Sequence, residues 1–396
     1  MIALIIGILV SLLVTIAGTP MLIHLVHRLH YGQYIRQDGP KSHLVKRGTP
    51  TMGGVAIVLA IVLGWGASAL YRYVRSGAVP SLSAMLVLFA MLSMGLLGFI
   101  DDFAKVRKKQ NLGLSVHAKF IGQFIFATIY AVLALIIPTK SGFPSAQAGM
   151  SFIEKPFFDF RFAGGVVAAI IFVIWVNFLM TAWTNAVNLT DGLDGLAAGV
   201  CGIGCASMLA VSLFLPQATE ISVLVAALGG ACLGVLPFNI NPAKIFMGDS
   251  GSLLLGYVLS TASVLGLFKM YTLVAFAVPV LTLALPLTDT VFAVVRRVSR
   301  GESPFHADRG HIHHRLLALG LTQKQAVAVL YAASGILGAA AVLLAANAAK
   351  RFWLLLGAVA LALGIWLYVF AGHHFPSDPS VKAPKKDKKE DGSTKP

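Results

Sequence analysis

One pattern constrains this chain more than any other. Stretches of about 20 mostly apolar residues, the length a helix needs to cross a bilayer, recur about eleven times. They lie near 3 to 27, 52 to 72, 81 to 100, 118 to 137, 164 to 185, 193 to 214, 221 to 238, 251 to 268, 272 to 296, 325 to 346 and 352 to 371. Lipid offers no partner to a free backbone N–H or C=O, so such a chain spans as helices or as a closed barrel. The runs lack the short alternation of barrel strands. The expectation is an all-α fold, a polytopic transmembrane helical bundle of about 10–11 helices by that length criterion, with one catalytic domain over 1–375 and a disordered basic tail over 376–396. Composition agrees: 57% of the residues are hydrophobic and 12% are charged, where soluble domains carry about 25% charge.

The net charge of +15 does not call for nucleic acid as a partner. The cations sit in "RLHYGQYIRQDGPKSHLVKRG", "DDFAKVRKKQNLG", "RRVSRGESPFHADRGHIHHR" and the tail, while loops such as "LPQATE" are poor in them. The positive-inside rule accounts for that asymmetry and puts the N-terminus outside, with the basic loops, any active site built on them, and the tail in the cytoplasm. The first run lacks a basic leader and ends in "HLVHRLH", so it reads as a first spanning helix rather than a cleaved signal. Cys201, Cys205 and Cys232 lie inside apolar runs without metal-ligand spacing and read as small core residues.

The polar residues gather at run edges that fall on one side. Of 16 acidic residues, Asp101, Asp102, Asp191, Asp194 and Asp249 stand at such edges. One such pair would be an ordinary boundary feature. Recurrence at three edges of the same face suggests a site, because clustered carboxylates and amides hold a hard divalent cation and can move a proton. Magnesium commonly links carboxylates to substrate phosphates, and Lys105, Lys108, Lys119 and Lys244 would complement that charge. In "KIFMGDSGS", Asp249 lies between glycines at a helix start, where an anion is favoured, although this is also an ordinary turn and cap. Phe246 reads as core or as a base-stacking platform. "HADRGHIHHR" holds His306, His311, His313 and His314; zinc is one reading, and contact with a diphosphate fits better beside hard oxygen ligands. Lys46 and Thr49 belong to a basic turn, "KRGTPTMGG", entering the second run.

In this order, the motifs resemble the polyprenyl-phosphate N-acetylhexosamine-1-phosphate transferase superfamily, over nearly the whole chain up to about residue 345. "NAVNLTDGLDGLA" and "AKIFMGDSGS" look like its signatures. Up to about residue 199, "YGQYIRQDGPKSHLVKRGTPTMGG", "LGFIDDFAKVRKKQNLGLSVHAKFIGQ" and "AWTNAVNLTDGLDGLAAG" are similar to phospho-N-acetylmuramoyl-pentapeptide transferases (MraY) of actinobacterial type. Beyond it, "GACLGVLPFNINPAKIFMGDSGSLLLG", "DTVFAVVRR" and "DRGHIHHRLLALG" are similar to the WecA and TagO group, which transfers N-acetylglucosamine-1-phosphate. A pentapeptide transferase would carry a His-His-His-Phe-Glu type segment where this chain has His311, Ile312, His313, His314 and Arg315, and would usually have ten helices.

The resemblance implies transfer of a phospho-sugar from a UDP-sugar donor to undecaprenyl phosphate, with release of UMP. Lipid I synthesis is the leading reading and N-acetylglucosamine-1-phosphate transfer the alternative. It implies Mg2+ held by Asp249 with Asp191, and Asp101 and Asp102 near the lipid phosphate. It implies His311, His313 and His314 at the diphosphate or sugar, and Phe246 on the uracil. Lys46, Thr49, Lys119, Asn185, Asn188, Asp194 and Arg315 complete the substrate-binding set, and a homodimer is expected on the same ground. Two other classes compete. A cation-coupled transporter would place its acidic residues near mid-membrane on broken helices. A non-enzymatic scaffold would need no convergent carboxylates.

Overall fold

The computed structural model describes residues 1–29, 48–108, 113–137, 149–153, 155–159, 165–213, 219–265, 280–281, 283–299, 301, 311–346, 353 and 357. Along the chain these form α1 (Ile2–Arg28), α2 (Gly54–Ser76), α3 (Leu82–Lys108), α4 (Val116–Ile136), the strands β1 (Gly149–Ile153) and β2 (Lys155–Asp159), then α5 (Gly165–Thr190), α6 (Leu196–Ser212), α7 (Thr219–Asn239), α8 (Gly248–Leu265), α9 (Ala284–Ser299), α10 (Ile312–Ala318) and α11 (Gln323–Ala346). The expected helical bundle is what forms. Each apolar run up to 325–346 contains a helix, and seven of the described helices are long and apolar enough to cross a membrane: α1, α2, α3, α4, α5, α7 and α11. The protein is an integral membrane protein. Apart from Trp353 and Gly357, the run at 352–371 lies outside the described residues, as do Lys46, His306 and the basic tail.

Three details depart from the sequence reading. A short antiparallel hairpin, with Gly149 opposite Asp159, lies between α4 and α5. A seven-residue helix, α10, carries the histidines. And α3 does not stop where its apolar run ends near 100, but continues two turns through Asp101 and Asp102 to Lys108. The reason is local: Lys105 sits four residues after Asp101 and three after Asp102, the spacings at which opposite charges meet on a helix. The pair is therefore part of a helix face, which fixes its direction more firmly than a loop would.

The bundle is organised around α8. From Ser250 to Thr261 every residue of this helix is buried, with Leu254, Leu255, Tyr257 and Val258 wholly so. Helix α8 packs on α3 and α5 and also touches α2. A helix apolar on all sides belongs at the centre of such a bundle. Helix α1, by contrast, shows lipid its large residues, Ile5, Leu9, Leu13, Ile16 and Leu25, and turns Gly7, Ser11 and Thr15 inward. These small residues let backbones approach: Ser11 Oγ donates to the Ala60 carbonyl at 2.9 Å, and Ser68 Oγ of α2 donates to that of Ala3 at 2.8 Å. In lipid such fit replaces hydrophobic drive between helices.

Candidate active site

The central helix brings its N-terminus, and with it Asp249, to the ends of three others. Asp101 and Asp102 come from the last turns of α3, Lys119 from the first turn of α4, and Asn188 from the last turn of α5. One oxygen from each of Asp101, Asp102 and Asp249 lies within 4.8 Å of the others. Lys105 Nζ stands 2.6 Å from Asp101 Oδ2, 3.2 Å from Asp249 Oδ2 and 3.4 Å from Asp102 Oδ1. Lys119 Nζ is 3.1 Å from Asp101 Oδ2 and pairs with Asp249 Oδ2 as well. Asn188 Nδ2 donates to Asp249 Oδ1 at 3.1 Å and to Ser252 Oγ at 2.8 Å. Burial works against ionisation of Asp249, but the ammonium groups of Lys105 and Lys119 outweigh it and hold this carboxyl below the ordinary carboxylate range.

The three carboxylates are not equivalent. Both oxygens of Asp102 are taken by backbone donors at the start of α8, from Asp249 N at 3.1 Å and Ser250 N at 2.9 Å. A helix leaves its first N–H groups unsatisfied, and Asp102 supplies the acceptors from another helix. Its work is to seat Asp249. Gly248 makes this possible: its φ of 73° is left-handed, and a Cβ there would strike Asp102 and approach Thr51. Asp101 is anchored on one side only, Oδ1 accepting from Leu114 N at 2.7 Å, while Oδ2 faces the two lysines.

The turn before α2 runs along the segment before α8. Phe246 N donates to the Pro50 carbonyl at 2.8 Å, and Gly53 N to that of Phe246 at 2.9 Å. Thr51 is buried beside Gly248, whereas Thr49 is half-buried at the start of the turn. Met52, between them in the bridge, has a φ of 75°, a strained value for a side-chain-bearing residue that the two flanking bonds hold in place. Phe246 is half-buried rather than in the core, and Lys108 and Lys244 are exposed.

The turn after α5 forms a neighbouring wall. Asp191 is half-buried there and is not in the group formed by Asp101, Asp102 and Asp249. Asp194 is buried and braces the loop before α8, its Oδ2 accepting from Asn241 Nδ2 at 2.8 Å and Ala243 N at 3.3 Å. Asn185 faces one turn deeper, donating to Gln123 Oε1 at 2.8 Å. His313 stacks against this wall: a Cβ added at Gly192 would run into its ring. His311 and His313 are buried with nearly parallel rings, 5.6 Å apart and 4° from coplanar, while His314 and Arg315 are half-buried. Between α5, α6, α9, α10 and α11 lies a small pocket whose polar lining is Thr190, Asp289 and His313, with Ile312 among its apolar residues.

Several residues of this region escaped the sequence reading. Asn239 is buried and ties Gly195 N (3.1 Å) to the Ile245 carbonyl (2.9 Å). Gln323 and Tyr331 of α11 hold the same wall from outside, through Asn241 and the Gly195 carbonyl respectively. Asp289 lies inside an apolar run, and an acidic residue in such a place was the available signal.

Comparison with known proteins places this arrangement in a class. The family model described as glycosyl transferase family 4 matches residues 84–267, from the start of α3 to beyond α8. Phospho-N-acetylmuramoyl-pentapeptide-transferase signature 1 matches residues 46–58, the turn bridged to Phe246. The chain is 68% identical over 280 residues to the phospho-N-acetylmuramoyl-pentapeptide-transferase of Bifidobacterium longum (strain DJO10A), covering 67% of this chain and 76% of the relative. It is 66% identical over 280 residues to that of Bifidobacterium adolescentis, covering 67% and 77%, and 40% identical over 335 residues to that of Corynebacterium kroppenstedtii, covering 79% and 89%. The chain belongs to the phospho-N-acetylmuramoyl-pentapeptide transferase family.

Proposed function

We propose that the protein transfers phospho-N-acetylmuramoyl-pentapeptide from its UDP-linked form to undecaprenyl phosphate, making lipid I and releasing UMP. The observation that carries this reading is the convergence of Asp101, Asp102, Asp249, Lys105, Lys119 and Asn188 where four helix ends meet. One substrate is dissolved and the other lies in lipid, so the chemistry belongs at a membrane boundary. One diphosphate linkage is made as another is broken, and the protein's task is to position two anions and manage their charge.

The contacts within the cluster support the roles of its lysines and aspartates. Lys105 and Lys119 each lie between two or more carboxylates, so either ammonium can turn to an incoming phosphate without leaving the cluster. Asp101, with one oxygen free of backbone donors, is placed to meet the lipid phosphate, while Asp102 keeps Asp249 in position. Phe246 stacks on the uracil, with Lys46 and Thr49 at the phosphates. His311, His313 and His314 meet the diphosphate-sugar, with Arg315 beside them. Asn185 supports this wall from below.

The donor set suits a hard cation. Three carboxylates against two ammonium groups leave a net negative site, and all offered atoms are oxygen. Magnesium held by Asp249 would supply charge neutralisation at the diphosphate; Asp191, the second ligand the resemblance implies, lies outside the group of three carboxylates. The basic ends of α1 and α3 favour the cytoplasmic side for this face, and a homodimer is the expected assembly. A second donor, UDP-N-acetylglucosamine, is favoured by one feature: Ile312 stands buried within the His311–Arg315 segment.

The test is purified protein in detergent with magnesium and undecaprenyl phosphate, offered UDP-N-acetylmuramoyl-pentapeptide and UDP-N-acetylglucosamine separately. UMP release with the pentapeptide donor supports the reading. Release with N-acetylglucosamine alone moves specificity to the histidine segment, and release with neither, from folded protein, overturns it.

A further inference from the structure

The histidine segment rests on one carboxylate with no role in the reading above. Asp289 sits in α9, and both of its oxygens are used. Oδ2 is 2.9 Å from His311 Nδ1, and Oδ1 accepts the backbone N–H of Ile312 at 2.9 Å. Asp289 and His311 are each 6% exposed, so water does not compete for these contacts. His311 is also the residue at the N-terminal boundary of α10, in extended conformation, with no capping bond from its own side chain. Asp289 does the capping instead, from a different helix.

The same contact decides the chemistry of the ring. A carboxylate accepting from Ile312 N–H at one oxygen has an acceptor to offer at the other, so the imidazole nitrogen facing it carries the hydrogen. Nδ1–H is spent on Asp289, and Nε2 has no hydrogen-bond partner among the described residues. The parallel ring of His313 limits rotation on one face, and His313 in turn leans on Gly192, next to Asp191. Asp289 therefore governs how the first histidine stands relative to the turn that the family motif supplies.

We propose that Asp289 is a positioning residue: it locks His311 in the Nδ1–H tautomer, so that Nε2 keeps its lone pair and is presented as an acceptor to a hydroxyl of the donor's sugar. The idea rests on the transferase reading, but part of it is readable without turnover.

The experiment uses full-length protein labelled with 15N-histidine in detergent, with His311 assigned by difference from H311Q, together with kcat and KM for UMP release. In the unsubstituted protein His311 should show the Nδ1–H pattern. An Nε2–H pattern there overturns the proposal whatever the activity.

The discriminating variant is Asp289→Asn. Its amide oxygen can still accept from Ile312 N–H, keeping α10 capped, while its NH2 turns to His311 Nδ1 and forces the hydrogen to Nε2. A purely structural role predicts little change in kcat. The positioning role predicts a tautomer switch and a fall in kcat of about 100-fold, the scale of a misplaced acid–base group, with KM changed much less. Asp289→Glu should restore part of it. In an H311Q background, Asp289→Asn should cost almost nothing further. Additive losses, or an unchanged tautomer in Asp289→Asn, overturn the proposal. If no donor is turned over by the unsubstituted protein, the transferase reading fails while the tautomer result still decides this one.

Discussion

The aspartate–lysine cluster and the histidine module hold their polar groups in opposite ways. The cluster is set by long helices: α3, α4 and α5 deliver their ends to the N-terminus of α8, a helix buried along most of its length. Its charges meet in five close ion pairs, so Asp101 and Asp249 each have two cations and each lysine has more than one carboxylate. The module is a seven-residue helix whose first turn depends on Asp289. Redundancy in the first should make it tolerant in structure and intolerant in chemistry. The second should lose orientation when a single contact goes.

The largest effect is expected at Asp249. Asp249→Asn keeps the size and the bond to Asn188 but removes the charge facing Lys105 and Lys119, and should lower UMP release by about 10³-fold or more, beyond the loss from one transition-state donor. Activity within tenfold of the parent would break the assignment of chemistry to this cluster. Next is Lys119→Met. It leaves Asp101 and Asp249 with Lys105 alone; because the lysine is partly exposed, its stability cost should stay below the roughly 3–5 kcal/mol of a fully buried pair. The turnover loss should be about 10–100-fold, the lower part of the range for a positioned charged group. A larger fall in melting temperature than in turnover would mean that the lysine serves the fold first. Asp102→Asn should divide the other way: one backbone bond of α8 is lost, costing about 1–2 kcal/mol as at a helix cap, with activity falling in step with the displacement of Asp249. A thermal melt beside the UMP assay separates these cases.

The helices were legible because lipid enforces them: once a run is 20 apolar residues long, backbone satisfaction leaves little choice. The cluster was legible because acidic residues are scarce here and recur at run edges. Helix ends resisted reading where charge continued a helix, as at Asp101 and Asp102, since the apolar pattern stops before the ion pairs that extend it. The supports of the site were harder still. Asn239, Gln323 and Tyr331 carry no motif, and each acts on residues far away in the chain; Tyr331 and Gly195 are 136 positions apart. Asp191 and Asp194 looked alike in sequence, yet one is half-buried near the histidines and the other is buried bracing a loop. Spacing records which residues share a turn and leaves open which way each faces.

Tyr331 offers the smallest effect and the finest test of that contrast. Its hydroxyl donates to the Gly195 carbonyl at 2.5 Å, and its ring fills the space beside Gly199, where a Cβ would collide with it. Tyr331→Phe removes the bond and keeps the ring, so stability should fall by about 1 kcal/mol, the usual net worth of such a bond. Gly195 ends the turn that holds Asp191 and Asp194, and that turn packs on His313 through Gly192. If the two regions are as separate as their construction implies, the variant should raise the donor KM a few-fold, about 1 kcal/mol of lost binding, and leave kcat nearly unchanged. An equal loss in kcat would mean that the wall and the cluster move together, and that α11 braces one catalytic unit rather than one side of it.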